Sequence, residues 1–228
     1  MNRAFTLAEV LITLGIIGVI AAMTIPSVMT KYQKQETAAR LKKAYSTINQ
    51  ALVMSQSENG DFTTWEGIVP EDMPSVNYQN RLSLLVKQNI IPYLKVQKDC
   101  GIKCKSASDE IYRDGQVQKI SNDPSNYVIY LSDGTRIRFF INNRRDENGV
   151  ATFQDLYIVL DINGDSKPNL AGRDIFFITL SSSNNKVQMY NTNYPLSNNL
   201  SECENGRGFS CGAIIQKDGW EINDHYPW

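Results

Sequence analysis

Residues 4–30 read AFTLAEVLITLGIIGVIAAMTIPSVMT, and from Phe5 to Ile25 the single ionisable side chain is Glu9. The hydrocarbon layer of a bilayer takes about 20 apolar helical residues at roughly 1.5 Å each, so this run is long enough to cross one. An unpaired carboxylate at such a depth costs about 2.5 to 3.5 kcal/mol on insertion scales, which leaves Glu9 in need of a partner. Gly15, Gly18, Ala21 and Ala22 lie close together on the helix surface. Gly18 and Ala22 form the small-xxx-small pattern that lets helices approach closely in lipid. Pro26 removes the bond to the carbonyl of Ala22 and is expected to bend or loosen the helix there.

Beyond Lys31 the pattern becomes one-sided. Ala38, Leu41, Tyr45, Ile48 and Leu52 recur at three- and four-residue steps, with Lys42, Lys43, Ser46, Asn49 and Gln50 between them. That spacing predicts an amphipathic continuation over 31–60, stopped at Asn59-Gly60, with a head packed on the apolar stripe. An unbroken helix from Phe5 to Asn59 would be ~80 Å long. A polar loop with Trp65, Pro70 and Pro74 then runs from Asp61 to about Asn80. A short helix is expected over Arg81 to Val96, ended by Pro92. Tyr127–Leu131 and Thr135–Ile141 alternate around a Ser132-Asp133-Gly134 turn and read as a hairpin, with Arg136 and Arg138 on one side. Leu156–Ile162, Asp174–Leu180 and Lys186–Tyr190 are further strands. The fold class is α+β: a long N-terminal helix packed on an antiparallel head spanning 61–228.

The segment Ala4-Phe5-Thr6-Leu7-Ala8-Glu9-Val10-Leu11, followed by a small-residue apolar run and Pro26, resembles the N-terminus of type IV prepilins and type II secretion pseudopilins. The resemblance covers Ala4 to Pro26 closely and the head more loosely. It implies a short leader, residues 1–4, cut by a prepilin peptidase between Ala4 and Phe5. It also implies an N-methylated Phe5, and Glu9 as the fifth mature residue, used in assembly. Ala4 departs from the Gly usual before the cut. Cleavage would create a cationic α-amine that Glu9 could meet within its own helix or on a neighbour, and the resemblance favours the neighbour. The partners it implies are the inner membrane, the peptidase and other pilin or pseudopilin subunits. The alternative for the whole segment is an ordinary membrane anchor or signal peptide, for which Ile20-Ala21-Ala22 is a poor cleavage site.

The remaining composition narrows the classes. A net charge of -1 over 228 residues, with Lys and Arg scattered, argues against nucleic acid. Cys100 with Cys104 and Cys203 with Cys211 read as two local disulfides of an extracytoplasmic head. Three pairings are open, and a zinc site is disfavoured by the spacing. Counting Lys and Arg around the span favours the head inside, whereas the cysteines and the resemblance favour it outside. Asp161, Asn163, Asp165 and Asn169 alternate around Gly164 like the first half of an EF-hand loop, with Asp174 in reach; calcium is one reading and a metal-free Asx-turn the other. His225 is the single histidine and stands near the C-terminus, which leaves little for an acid–base or nucleophilic set. Asp109-Glu110 and Asp146-Glu147 read as solvated loop charges. At least two of Trp220, Tyr226 and Trp228 are expected to be buried against the sheet.

The expectation is therefore a structural, non-enzymatic subunit. It would be single-pass in the membrane before assembly, with its head outside the cytoplasm, and then part of a pilus or pseudopilus at the cell surface or in the periplasm. A monomeric, membrane-tethered binding module is the rival.

Overall fold

The computed structural model describes residues 6–65, 75–145 and 151–228. Helix α1 runs over Leu7–Asn59 with Pro26 inside it, and the chain divides into two compact units, Met1–Glu36 and Thr37–Trp228. The Ala4–Phe5 junction, Pro70, Pro74 and Asp146-Glu147 lie outside the described residues.

In the first unit the apolar side chains of α1 are exposed on every side, Leu7, Leu11, Ile12, Leu14, Ile17 and Met23 among them. The helix is long and apolar enough to cross a membrane. Hydroxyls within it are folded back onto the backbone: Thr13 donates to Glu9 O at 2.9 Å, Thr24 to Ile20 O at 2.9 Å and Thr30 to Pro26 O at 3.0 Å. Those bonds leave few polar groups facing outward from an apolar run.

In the second unit the expected stripe packs inward, with Tyr45 half-buried at its edge and the other four residues buried. Ala38, Leu41, Ala44, Ile48 and Leu52 join one core with the inner face of a six-stranded antiparallel sheet. The strands are β1 Val96–Ile102, β4 Tyr127–Leu131, β5 Arg136–Arg145, β6 Ala151–Asp161, β7 Ile175–Ser181 and β8 Val187–Met189, hydrogen-bonded in that order. A separate ribbon pairs β2, Glu110–Ile111, with β3, Val117–Gln118. Alternation decides what each face carries. Ile137, Phe139, Ile158, Leu160, Phe176 and Ile178 point toward α1, whereas Arg138, Phe140, Tyr157, Val159 and Phe177 point away. Register brings the second set together, with Phe140 opposite Tyr157 and Val159 opposite both Arg138 and Phe177.

Several elements depart from the sequence reading. The helix expected over Arg81–Val96 is α2, Ser75–Asn89; Pro92 sits in a short 3-10 turn, Ile91–Tyr93, and Val96–Ile102 is the edge strand β1. Pairing with β4 holds that segment extended, a tertiary constraint that outweighs its local pattern. Two further helices, α3 Leu196–Asn205 and α4 Cys211–Lys217, carry Cys203 and Cys211. Of the C-terminal aromatics only Tyr226 is buried, its hydroxyl donating to Gly172 O at 2.6 Å. Trp220 and Trp228 are half-buried, Trp220 against Tyr45 at 5.2 Å and Trp228 under Arg173 at 4.1 Å.

Candidate functional site

Glu9 has a partner within its own helix. Thr6 N and Thr6 Oγ1 donate to Glu9 Oε2 at 2.9 and 2.8 Å, and Glu9 N donates to Thr6 Oγ1 at 3.3 Å. This reciprocal capping box satisfies two backbone N–H groups that would otherwise be orphaned at the start of α1. Its signal, a Thr followed three residues later by a Glu, was present in Thr6-Leu7-Ala8-Glu9.

The Asp161–Asp174 stretch brings together most of the residues expected to hold calcium, and turns their oxygens to other uses. Asp174 accepts from Asn169 N at 2.8 Å, Leu170 N at 2.6 Å and Asn163 Nδ2 at 3.2 Å. Asp161 accepts from Arg136 Nη2 at 2.8 Å and Nε at 3.2 Å, and from Asn163 N at 3.3 Å. With its amide turned to donate, Asn169 reaches Asp161 Oδ2 at 3.2 Å and Ser166 O at 3.1 Å. Asp165 faces elsewhere, accepting from Ser108 N at 3.2 Å and the Tyr130 hydroxyl at 2.9 Å. The Asp161 and Asp174 carboxylates are engaged by N–H donors, whereas Asn163 Oδ1 is buried without a partner among the described residues. Among the described residues no group of three or more His, Cys, Asp or Glu is arranged to hold a metal ion. Burial pushes the Asp161 carboxyl up to about 8 against the pull of Arg136, and also raises Asp174.

The same region holds a buried ion cluster. Glu110, 1% exposed, accepts from Arg138 Nη2 at 2.7 Å and Nε at 3.3 Å, and from Arg136 Nη2 at 3.3 Å. Glu110 is thus no solvated loop charge: two residues of strand pairing in β2 bring it over the outer face of β5.

Both cysteine pairs close locally, Cys100–Cys104 with Cα atoms 5.3 Å apart and Cys203–Cys211 at 4.9 Å. In the second loop Glu202 accepts from Phe209 N and Ser210 N at 3.1 and 2.6 Å, bracing the segment the disulfide closes. His225 is exposed, with Nε2 2.7 Å from Asp218 Oδ2.

These features define an α+β protein with a long apolar N-terminal helix, a six-stranded antiparallel sheet and two short disulfide loops. The family model that matches it covers residues 27–228 and is described as a family of unknown function (DUF6613). The chain belongs to that family. No curated protein and no solved structure matches it.

Proposed function

We propose that this chain is a pilin-like structural subunit, anchored in the membrane by the first half of α1 and assembled through that half into a pilus or a type II secretion pseudopilus. The observation that carries the reading is the division of one helix into two kinds of surface. Its C-terminal half buries Leu41, Ile48 and Leu52 in the head, while its N-terminal half exposes apolar side chains all round and holds one carboxylate. A surface of that kind is covered by lipid or by other helices. The resemblance of Ala4 to Pro26 to prepilins adds cleavage before Phe5, and with it a cationic amine that Glu9 of a neighbour could neutralise.

Two variants separate this role from capping. Glu9→Gln keeps a side-chain oxygen for Thr6 and loses the charge, whereas Glu9→Ala loses both. In a cell carrying the peptidase, both variants should insert and be cleaved, and both should be depleted at least about tenfold from sheared filaments, a coupling of about 1.4 kcal/mol. Normal incorporation of Glu9→Gln would remove the charge-pairing step. Mass spectrometry of the mature N-terminus should find a methylated Phe5; an N-terminus near Met23 would remove the class altogether.

A further inference from the structure

The outer face of the sheet, turned away from α1, carries an unusual set of side chains. Six rings, from Tyr112, Phe140, Tyr157, Phe177, Tyr190 and Phe209, surround a hollow of about 330 Å³. Phe140 and Tyr157 stack at 5.1 Å with 23° between their planes, giving one wall a flat orientation. Phe209 closes another wall, edge-on to Tyr112 at 5.2 Å and to Tyr190 at 5.8 Å.

The polar groups of the hollow are mismatched in one direction. Asn126 is 2% exposed; its Oδ1 accepts from Arg138 Nη1 at 3.2 Å, and its Nδ2 has no acceptor among the described residues. A buried N–H left without a partner forfeits the hydrogen bond it made to water in the unfolded chain. Arg207, half-exposed at the mouth, lies over the Tyr112 ring at 5.8 Å and reaches Asp114 only at 3.7 Å. Burial raises the phenols of Tyr112 and Tyr190, the latter to about 12, and their hydroxyls are bonded to Arg138 and Tyr157 respectively. The Glu110 carboxylate behind Arg138 is already taken by Arg136 and Arg138. The buried lining group left unmatched is thus a donor. With Arg138 and Arg207 both on the wall, a cation is repelled despite the aromatic cage.

We propose that this hollow binds a compact ligand pairing a flat aromatic body with a carboxylate, the ring against Phe140, Tyr157 and Phe209 and the carboxylate at Arg207 and Asn126. Its volume lies at the lower end of ligand sites, enough for one ring and a short acidic tail. The Arg207 guanidinium at the mouth and the buried Asn126 amide on the lining offer N–H groups to a carboxylate, which accepts two bonds in one plane. The site belongs to the head alone and stands apart from filament assembly.

The test uses the full chain in lipid nanodiscs, titrated calorimetrically with 3-phenylpropanoate at pH 7, with the heat of empty nanodiscs subtracted. Saturable binding is expected with a Kd on the order of 1 mM, set by the few atoms of the probe. Benzyl alcohol, which keeps the ring and lacks the carboxylate, should bind at least about tenfold more weakly. Arg207→Gln should weaken 3-phenylpropanoate about tenfold and leave the unfolding midpoint unchanged, since Arg207 is exposed. Tyr190→Phe keeps the ring and should weaken binding less. No saturable heat at about ten times the expected Kd would overturn the proposal. So would equal affinity for benzyl alcohol, unchanged binding to the Arg207 variant, or preference for methyl glucoside, which would mark a sugar site.

Discussion

Removing the carboxylate of Glu110 tests whether the charges on the outer face of the sheet are structural. In Glu110→Ala the guanidinium of Arg138 keeps its hydrogen bond to Asn126 Oδ1 and loses both bonds to its counter-ion; Arg136 keeps its hydrogen bonds to Asp161 and to Ser108 O. Both arginines are buried, so water cannot replace the lost acceptor without opening the ribbon that holds Glu110. Deleting one partner of a buried ion cluster costs about 3–5 kcal/mol, dominated by the charge left behind rather than by the contact removed. For a domain of this size each kcal/mol shifts the unfolding midpoint by about 2–4 °C, so Tm should fall by roughly 6–20 °C. The internal control is Lys43→Ala. It breaks a shorter ion pair, 2.6 Å to Asp133, between side chains 64% and 32% exposed, and should cost under about 1 kcal/mol because both ends remain solvated. Thermal unfolding of the full chain in nanodiscs, followed by near-ultraviolet circular dichroism, compares the two. If Glu110→Ala costs no more than Lys43→Ala, the cluster is solvated and the reasoning fails.

Three further outcomes follow from the packing and the electrostatics. Replacing Cys203 and Cys211 together by Ala opens a loop of sequence separation 8 and should cost about 2.5 kcal/mol on the chain-entropy model, read as a lower urea midpoint. An unchanged midpoint would mean that Glu202 and the α3–α4 packing hold the loop unaided. Ile48→Ala removes a fully buried side chain between α1 and the sheet and should cost about 2–5 kcal/mol, while Val53→Ala, more than half exposed, should cost little. Equal losses would show that the stripe of α1 is not the floor of the core. Burial raises the carboxyls of both Asp161 and Asp174, so the folded chain retains protons that the unfolded chain releases. The Asp161 contribution to stability is full below about pH 4 and is lost as pH rises toward about 8, and Asp174 adds to it in the same direction. The urea midpoint should therefore fall between pH 5 and pH 8, and a rise across that interval would contradict the assignment.

Legibility in the sequence followed the range over which each signal acts. The apolar run, the stripe from Ala38 to Leu52, the stop at Asn59-Gly60 and the Tyr127–Ile141 hairpin are written in local periodicity, and the structure has them where the residues place them. Strand β1 is held by its pairing with β4, and the helices α3 and α4 lie in a segment braced by Cys203–Cys211 and Glu202, contacts that no local spacing announces. The aromatic hollow was equally hidden, because its rings come from six separate stretches between Tyr112 and Phe209 and meet only through strand register and the packing of loops on the sheet.

The two oxygen patterns that suggested chemistry show a different limit. Alternate Asp and Asn side chains around Gly164 converge their acceptors on one point, which either a cation or a set of inward N–H groups can satisfy. Asn169 N, Leu170 N and the Arg136 guanidinium fill that role in the fold, and no spacing of acceptors reveals where such donors will lie. Glu9 poses the same ambiguity at the other end of the chain. One oxygen suffices to cap α1 through Thr6, and a capping box would explain the residue in any helix that starts there. What capping leaves unexplained is an acidic side chain where Gln would serve, at the entrance of a run otherwise free of charge. The proposed subunit needs the charge itself. That is why the substitution to Gln, which keeps a capping oxygen for Thr6 and removes the charge, is the decisive one.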